Sequence, residues 1–405
     1  MNKKLMAVAV AGALSVPGMA LAQVQIGGSI NLLYYQHDPK NGASSKSDIA
    51  ELAEPELYIR AEEKLGGGMS VWMQCASSFD VLGAAAEGLC SRNSAIGMKG
   101  GFGNVFFGNW DQPQKLVFNQ ARGWFSGTNA LFGGSANLLF GGSASGVSNP
   151  VQSVTASPVI GGTTGAATAN SANAERFYRR QANTLNYHSP NWGGFTLQGS
   201  YSADRESTGR PESSTLSPRM YGLAGNFNMG GLWVGVGYEA HEDWNAANTT
   251  VGTGASQYGG GSDTNFTVGV AYRFGFGLSL RGVYSESEYE VSNTGNMKVK
   301  GYGMYSDWRI AGPHTVRLAY VLGESPTGNT SQNVGVYRAP AGATVDAGGE
   351  NFTLAYSYAF SKRTEGSLAY NEMKNDPRGT FSLGKSAATV GGKQTTMGIV
   401  LRHRF

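Results

Sequence analysis

The chain of 405 residues is predicted to be all-β, a closed antiparallel transmembrane β-barrel of about sixteen strands with long external loops and one loop folded inward. Three observations predict it. Apolar and polar side chains alternate with a period of two along most of the chain. Connections alternate between short glycine-rich turns and long polar loops, as they do when the two rims of a barrel face different compartments. No stretch approaches the roughly eighteen unbroken apolar residues that a membrane-spanning helix requires. A soluble sandwich also alternates, because its apolar face points inward; the loop asymmetry separates the two. In lipid every backbone group needs a partner, so such strands have to close on themselves.

Composition agrees. Glycine supplies 60 residues against 13 prolines, with aromatics at 11% and charge at 15%, which fits many short strands and turns. The formal net charge is +3, and Lys3 and Lys4 contribute to it before any processing. The near-neutral remainder gives no case for nucleic acid as a partner.

Taken in order, Met1-Asn2-Lys3-Lys4, an apolar run to Leu14 and Ala20-Leu21-Ala22 read as a secretory signal peptide over 1–22, leaving the barrel over 23–405. Val24, Ile26, Gly28, Ile30, Leu32 and Tyr34 then alternate with Gln25, Gly27, Ser29, Asn31, Leu33 and Tyr35. In the next strand Leu57, Ile59 and Ala61 face one way, and Glu56, Tyr58, Arg60 and Glu62 the other. The turn Gly66-Gly67-Gly68 leads to Met69–Cys75 and a loop to Cys90. These two cysteines flank one connection. In an oxidising compartment a bridge across it is favoured over two free thiols. No His pair at ligand spacing stands near them, so neither a metal nor a cofactor is expected.

The stretch Asp111–Tyr178 interrupts this regularity. From Gly123 to Ala174 it holds no Asp, Glu, Lys or Arg, and a structureless loop of this length is uncommon unless functional. Inside the loop Ala130–Asn137 is repeated in kind by Leu138–Ser145. Phe132 and Phe140 of the repeat are expected to pack the loop on the wall, or, with Trp124 and Phe125, to offer an aromatic slide to a solute. Alternation then resumes through Phe195–Tyr201, Tyr221–Phe227, Val234–Tyr238, Phe266–Phe274, Leu278–Tyr284, Val316–Leu322 and Phe352–Phe360. Met397, Ile399, Leu401, His403 and Phe405 form one face of a last strand, opposite Thr396, Gly398, Val400, Arg402 and Arg404.

Seven short pieces carry a family resemblance. They are Val24–Gly28, Glu62–Gly68, Ser91–Ser94 with Gly97, Phe102–Val105 with Gly108, Asn183-Thr184 with Tyr187–Pro190, Tyr358–Thr364 and Leu401–Phe405. Together they make the mature chain resemble the general trimeric porins of Gram-negative outer membranes, most closely the β-proteobacterial type. The resemblance implies sixteen antiparallel strands, a homotrimer, and a third external loop folded inward as a constriction, here 111–178. It also implies a bacterial outer-membrane location among lipid and lipopolysaccharide, an inter-subunit latch in the loop between Cys75 and Cys90, and a terminal Phe405 read by the barrel assembly machinery.

In that family basic wall residues face acidic groups on the third loop. By motif position Arg60 and Arg92 correspond to wall arginines, and Arg180, three residues before Asn183, to a third. Parity places Arg180 with Thr184 and Asn186 inside. Glu56 stands where some members carry another wall arginine, and the acidic loop segment is missing. Arg281 and Arg317 have lumen parity, and Arg122 at the start of the loop is within reach of the constriction. Rings of arginine in a pore favour anions. The bland alternative is that these arginines pair with wall carboxylates. His37, His188, His241, His314 and His403 are scattered over both rims and complete no nucleophile–base set, so no enzyme is expected. The expected function is passive diffusion of small hydrophilic solutes with weak to moderate anion preference. A substrate-specific channel and a structural or adhesive surface barrel are the alternatives.

Overall fold

The computed structural model describes residues 23–40, 45–51, 56–78, 81–82, 88–127, 139, 177–203, 219–242, 262–292, 295–328, 346–379, 381, 383 and 391–405. The signal peptide read over 1–22 and, apart from Leu139, the repeat over 130–145 lie outside them.

The strands are β1 (Gln23–Asp38), β2 (Lys46–Glu51), β3 (Glu56–Gly66), β4 (Met69–Ser77), β5 (Ser94–Gly100) and β6 (Gly103–Asp111). After the long loop come β7 (Arg180–His188), β8 (Phe195–Ser202), β9 (Arg219–Met229), β10 (Leu232–Glu242), β11 (Ser262–Arg273) and β12 (Leu278–Ser292). The chain closes with β13 (Gly295–Ala311), β14 (His314–Gly323), β15 (Thr327–Gly328), β16 (Gly349–Ala359), β17 (Thr364–Asn375) and β18 (Lys393–Arg404). Each pairs antiparallel with its neighbour. β2 and β3 pair with different stretches of β1, and β14 and β15 with different stretches of β13, so the wall has sixteen positions.

Closure is made by β1 against β18, from Ser29↔Arg404 to Asp38↔Thr395. At the seam the amides and carbonyls of Gly28 and Phe405 exchange two bonds of 3.0 Å. Gly28 is needed there, because a Cβ would lie 2.7 Å from the Phe405 ring.

The side chains settle which face is apolar. Val24 and Ile26 are 62% and 66% exposed on the outer surface, whereas Asn31, Gln74, Thr267, Asn351 and Thr396 are buried inside. An apolar exterior over a polar interior is the membrane-barrel arrangement, the reverse of a soluble sandwich. Outward aromatics gather at both rims. Tyr272, Phe274 and Phe276 stand with Tyr358 and Phe360 by the short turns. Toward the other rim, the hydroxyls of Tyr320 and Tyr370 donate to Glu350 (2.6 Å) and Glu372 (2.7 Å). Such rings suit the interface because one end is apolar and the other wet. Cys75 and Cys90 form a disulfide with Cα atoms 4.7 Å apart, closing the base of the loop after β4.

The interruption after β6 begins with a helix, α1 (Pro113–Arg122), where sequence reading expects only loop. Pro113 fits the first turn, whose amide has no helical partner, and Gly123 ends the helix at φ 60°. A turn of 3-10 helix, Gly123–Gly127, follows. α1 lies inside the barrel against β8–β13, with Val117, Phe118 and Ala121 fully buried. The wall is pared down to receive it. A Cβ at Gly222 would lie 2.8 Å from Pro113, at Gly237 2.9 Å from Gln114, and at Gly269 3.0 Å from Ala121. One polar bond fixes its direction: Gln114 Nε2 donates to Thr267 Oγ1 at 3.0 Å.

Candidate functional site: the channel lining

The charges inside the barrel fall into three groups. The first surrounds the root of the inward loop. Asp111, the last residue of β6, accepts from Lys115 Nζ of α1 at 2.6 Å and lies 3.3 Å from Arg180 Nη2. Asn93 joins this group, donating to Asp111 Oδ2 (3.1 Å) and accepting from Arg180 Nε (2.6 Å). The carbonyl of Asn93 accepts from Gln74, whose own carbonyl accepts from Arg60 Nε at 3.0 Å. Arg92 is adjacent in sequence, with Nη1 donating to Ser78 at 3.2 Å. One network thus brings together Arg60, Arg180 and the backbone beside Arg92. Glu56 lies at the start of β3 opposite Ser29. Glu62 pairs with Lys99 at 2.7 Å.

Parity is not the reason Arg180 is here. Asn183 has a left-handed φ of 53°, and the register with β6 shifts between Gly108 and Trp110. This bulge breaks the alternation, so Gln181 becomes the buried residue. Arg180 turns to the loop root because Asp111 is there. Arg122 differs from the expectation as well. It is 3% exposed, donates to the Phe125 carbonyl at 2.7 Å, and stacks over Phe118 at 4.8 Å. A guanidinium held this way closes the end of α1 and is withdrawn from open water.

The second group lies across the barrel. Asp307 on β13 binds both Arg281 Nη1 and Arg317 Nε, the latter at 2.9 Å. Arg317 also reaches Glu365 Oε2 of β17 at 3.0 Å and donates to Ser357. Trp124, carried by the loop, completes this group. Its Nε1 donates to the other Glu365 oxygen at 2.7 Å, and its ring lies 4.6 Å from the Arg317 guanidinium and 6.0 Å from that of Arg402. The inward loop therefore touches both walls: Asp111 and Lys115 tie it to β7, and Trp124 to β14 and β17. The position of Gly123 between them is crowded, since a Cβ would come within 2.8 Å of Arg281.

Of the third group, the sequence singles out only Arg281 and Arg317 as site residues. Beneath Gly123, Trp124 and Ser126 opens a cavity of about 1140 Å³ that runs to the short turns. Its basic residues are Arg273, Arg281, Arg309, Arg317, Lys362, Arg363, Arg402 and Arg404, and its acidic ones Asp307 and Glu365. Both acids are already bound to Arg281 and Arg317. A second cavity of about 530 Å³ shares Gly123 and Ser126 but is lined by amides, among them Gln198, Asn226 and Asn228. Sequence parity puts Arg402 and Arg404 on the inner face; what it lacks is the convergence of several distant strands on one mouth.

A closed barrel with an apolar exterior, a polar lumen and a loop folded across it is a transmembrane channel. The profile of the Gram-negative porin family matches residues 7–378, and the chain belongs to that family. It is an outer-membrane porin of a Gram-negative bacterium. Outer membrane porin protein 32 of Delftia acidovorans is 25% identical over 422 residues, covering 100% of both chains. Major outer membrane protein P.IB of Neisseria gonorrhoeae is 29% identical over 134 residues, 31% of this chain and 37% of that protein. Among solved structures, the anion-selective porin from Comamonas acidovorans has the same fold, with a TM-score of 0.70 at 20% identity over 95% of this chain and 100% of that one.

Proposed function

We propose that this porin conducts small hydrophilic solutes by passive diffusion with a preference for anions, and that it does so without a catalytic step or a cofactor. The observation that carries this is the lumen cavity, where eight basic side chains meet two acidic ones, both already paired. A single charge about 8 Å from a solute is worth roughly 0.5 kcal/mol in water, with opposite sign for anion and cation, so even one shifts the anion-to-cation ratio by about sixfold before screening. The segment 111–178 acts as the constriction. Its entry into the lumen through α1 supports this, and so do the anchors at Asp111 and Trp124. Arg60, Arg92 and Arg180 contribute at the loop root, with Arg180 tempered by Asp111. The relative from Comamonas acidovorans is described as anion-selective.

The same reading assigns residues 1–22 as the export signal and a homotrimer as the working assembly, in a bilayer of phospholipid and lipopolysaccharide. An OmpT of Vibrio cholerae with the same fold, at a TM-score of 0.61 and 14% identity over 95% of this chain and 99% of that one, is described in a trimer form. Phe405, paired with Gly28 at the seam, serves as the element that the barrel assembly machinery reads. Reversal potentials across planar bilayers in a KCl gradient test the selectivity. A chloride-weighted potential is expected, declining from 0.1 M to 1 M salt as the Debye length shrinks from about 10 Å to about 3 Å. A potassium-weighted potential would sink the proposal.

A further inference from the structure

We infer that the anion filter of this channel is a cationic collar at the short-turn mouth, formed by Arg273, Arg309, Lys362, Arg363 and Arg404, and that the collar binds small oxyanions carrying two or more negative charges. The inference deepens the proposed anion preference and rests on it. Arg180 has Asp111, and Arg281 and Arg317 share Asp307 and Glu365. The five collar residues line the same cavity, and none of them forms an ion pair with a carboxylate among the described residues. Their field is left for whatever enters.

Backbone geometry holds them together. Arg273 ends β11 with its amide on the Gly231 carbonyl at 2.9 Å, and Arg309 binds Gly277 at 3.1 Å. The Arg404 amide binds the Arg363 carbonyl at 2.9 Å, so a cation of β18 and one of the β16–β17 turn sit side by side. Such a crowd of like charges is unfavourable by itself and is relieved by anions. The bland reading is a solvated rim. Against it, all five face one cavity whose roof is the loop-borne Trp124, and the adjoining cavity beneath α1 is lined by neutral amides. Guanidinium groups on several strands match the several oxygens of a multiply charged oxyanion better than a lone chloride. Short turns lie on the periplasmic side of such barrels, so the filter meets anions leaving the constriction.

The test uses the full-length porin in planar bilayers, inserted from one compartment, with tripolyphosphate as the probe. From the short-turn side tripolyphosphate should block wild-type current at a concentration about tenfold lower than from the loop side. The variant R273Q/R309Q/K362Q/R363Q/R404Q should lose that sidedness and bring the chloride-to-potassium permeability ratio close to one. The variant R60Q/R92Q/R180Q should keep the sidedness and lower the ratio, but by less than the collar variant does. Each collar residue replaced singly gives a graded series in case the fivefold variant does not assemble. Sidedness that survives collar replacement, or a ratio abolished only by the loop-root variant, overturns the inference. A wild type without chloride preference would refute the proposed function, while block from the short-turn side alone would still uphold the collar and equal block from both sides would overturn it.

Discussion

The loop root on β3–β7 and the wall at β12–β18 both hold arginines inside the same barrel, yet they differ in what surrounds them. At the root Arg60 meets the amide of Gln74, and Arg180 meets Asp111, in a tight network that anchors the inward loop. On the opposite wall Arg281 and Arg317 are held by Asp307, whereas Arg273, Arg309, Lys362, Arg363 and Arg404 below them pair with no carboxylate among the described residues. An arginine bound to a carboxylate positions structure. One left facing water sets a field. The number of arginines in a pore therefore says less about selectivity than where the carboxylates stand.

Asp307→Asn leaves Arg281 and Arg317 with one carboxylate fewer in a largely enclosed place, at a cost on the order of 3 kcal/mol. The temperature at which the folded gel form is lost should fall, while the chloride preference rises. Asp111→Asn should also destabilise, but show itself as a noisier channel, because Lys115 and Arg180 hold the loop. Next in size is the pair C75S/C90S, which releases a separation of 15 residues and costs about 3 kcal/mol on chain-entropy grounds. Heat resistance should drop with only a small change in selectivity, since Cys75 adjoins Gln74 of the loop-root network but the bridge is far from the collar. Trp124→Ala removes a cation–π contact and a bond to Glu365, together about 2 kcal/mol. Single-channel recordings should then show larger or fluctuating openings. Gly123→Ala is the mildest, at about 1–3 kcal/mol of backbone strain, with a shifted conductance as its sign.

Much of this architecture is legible in the chain. Period-two alternation locates nearly every strand, and the outward placement of Val24, Ile26, Tyr356 and Phe360 follows from it. The bridge between Cys75 and Cys90 follows from their position about one connection. What escaped depends on contacts far apart in sequence. α1 reads as loop because its neighbours are so rich in glycine and serine, although Pro113 and Gly123 mark its ends. Arg180 reached its place through a bulge that no alternation foretells. Arg273 and Arg404 lie more than a hundred residues apart and share a cavity only because the sheet closes; neither carries a local signal of that meeting. Asp307 was invisible as a partner for the same reason.

The bare glycines beneath α1 have a consequence for anyone who would rebuild this channel. Gly222, Gly237 and Gly269 leave a mould in the wall that fits one helix. Grafting the inward segment into another barrel without baring those three sites would drive methyl groups against Pro113, Gln114 and Ala121 of the helix, and filling them here would evict it. Lock and key are both written in this chain, and a useful redesign of pore width has to edit them as one piece.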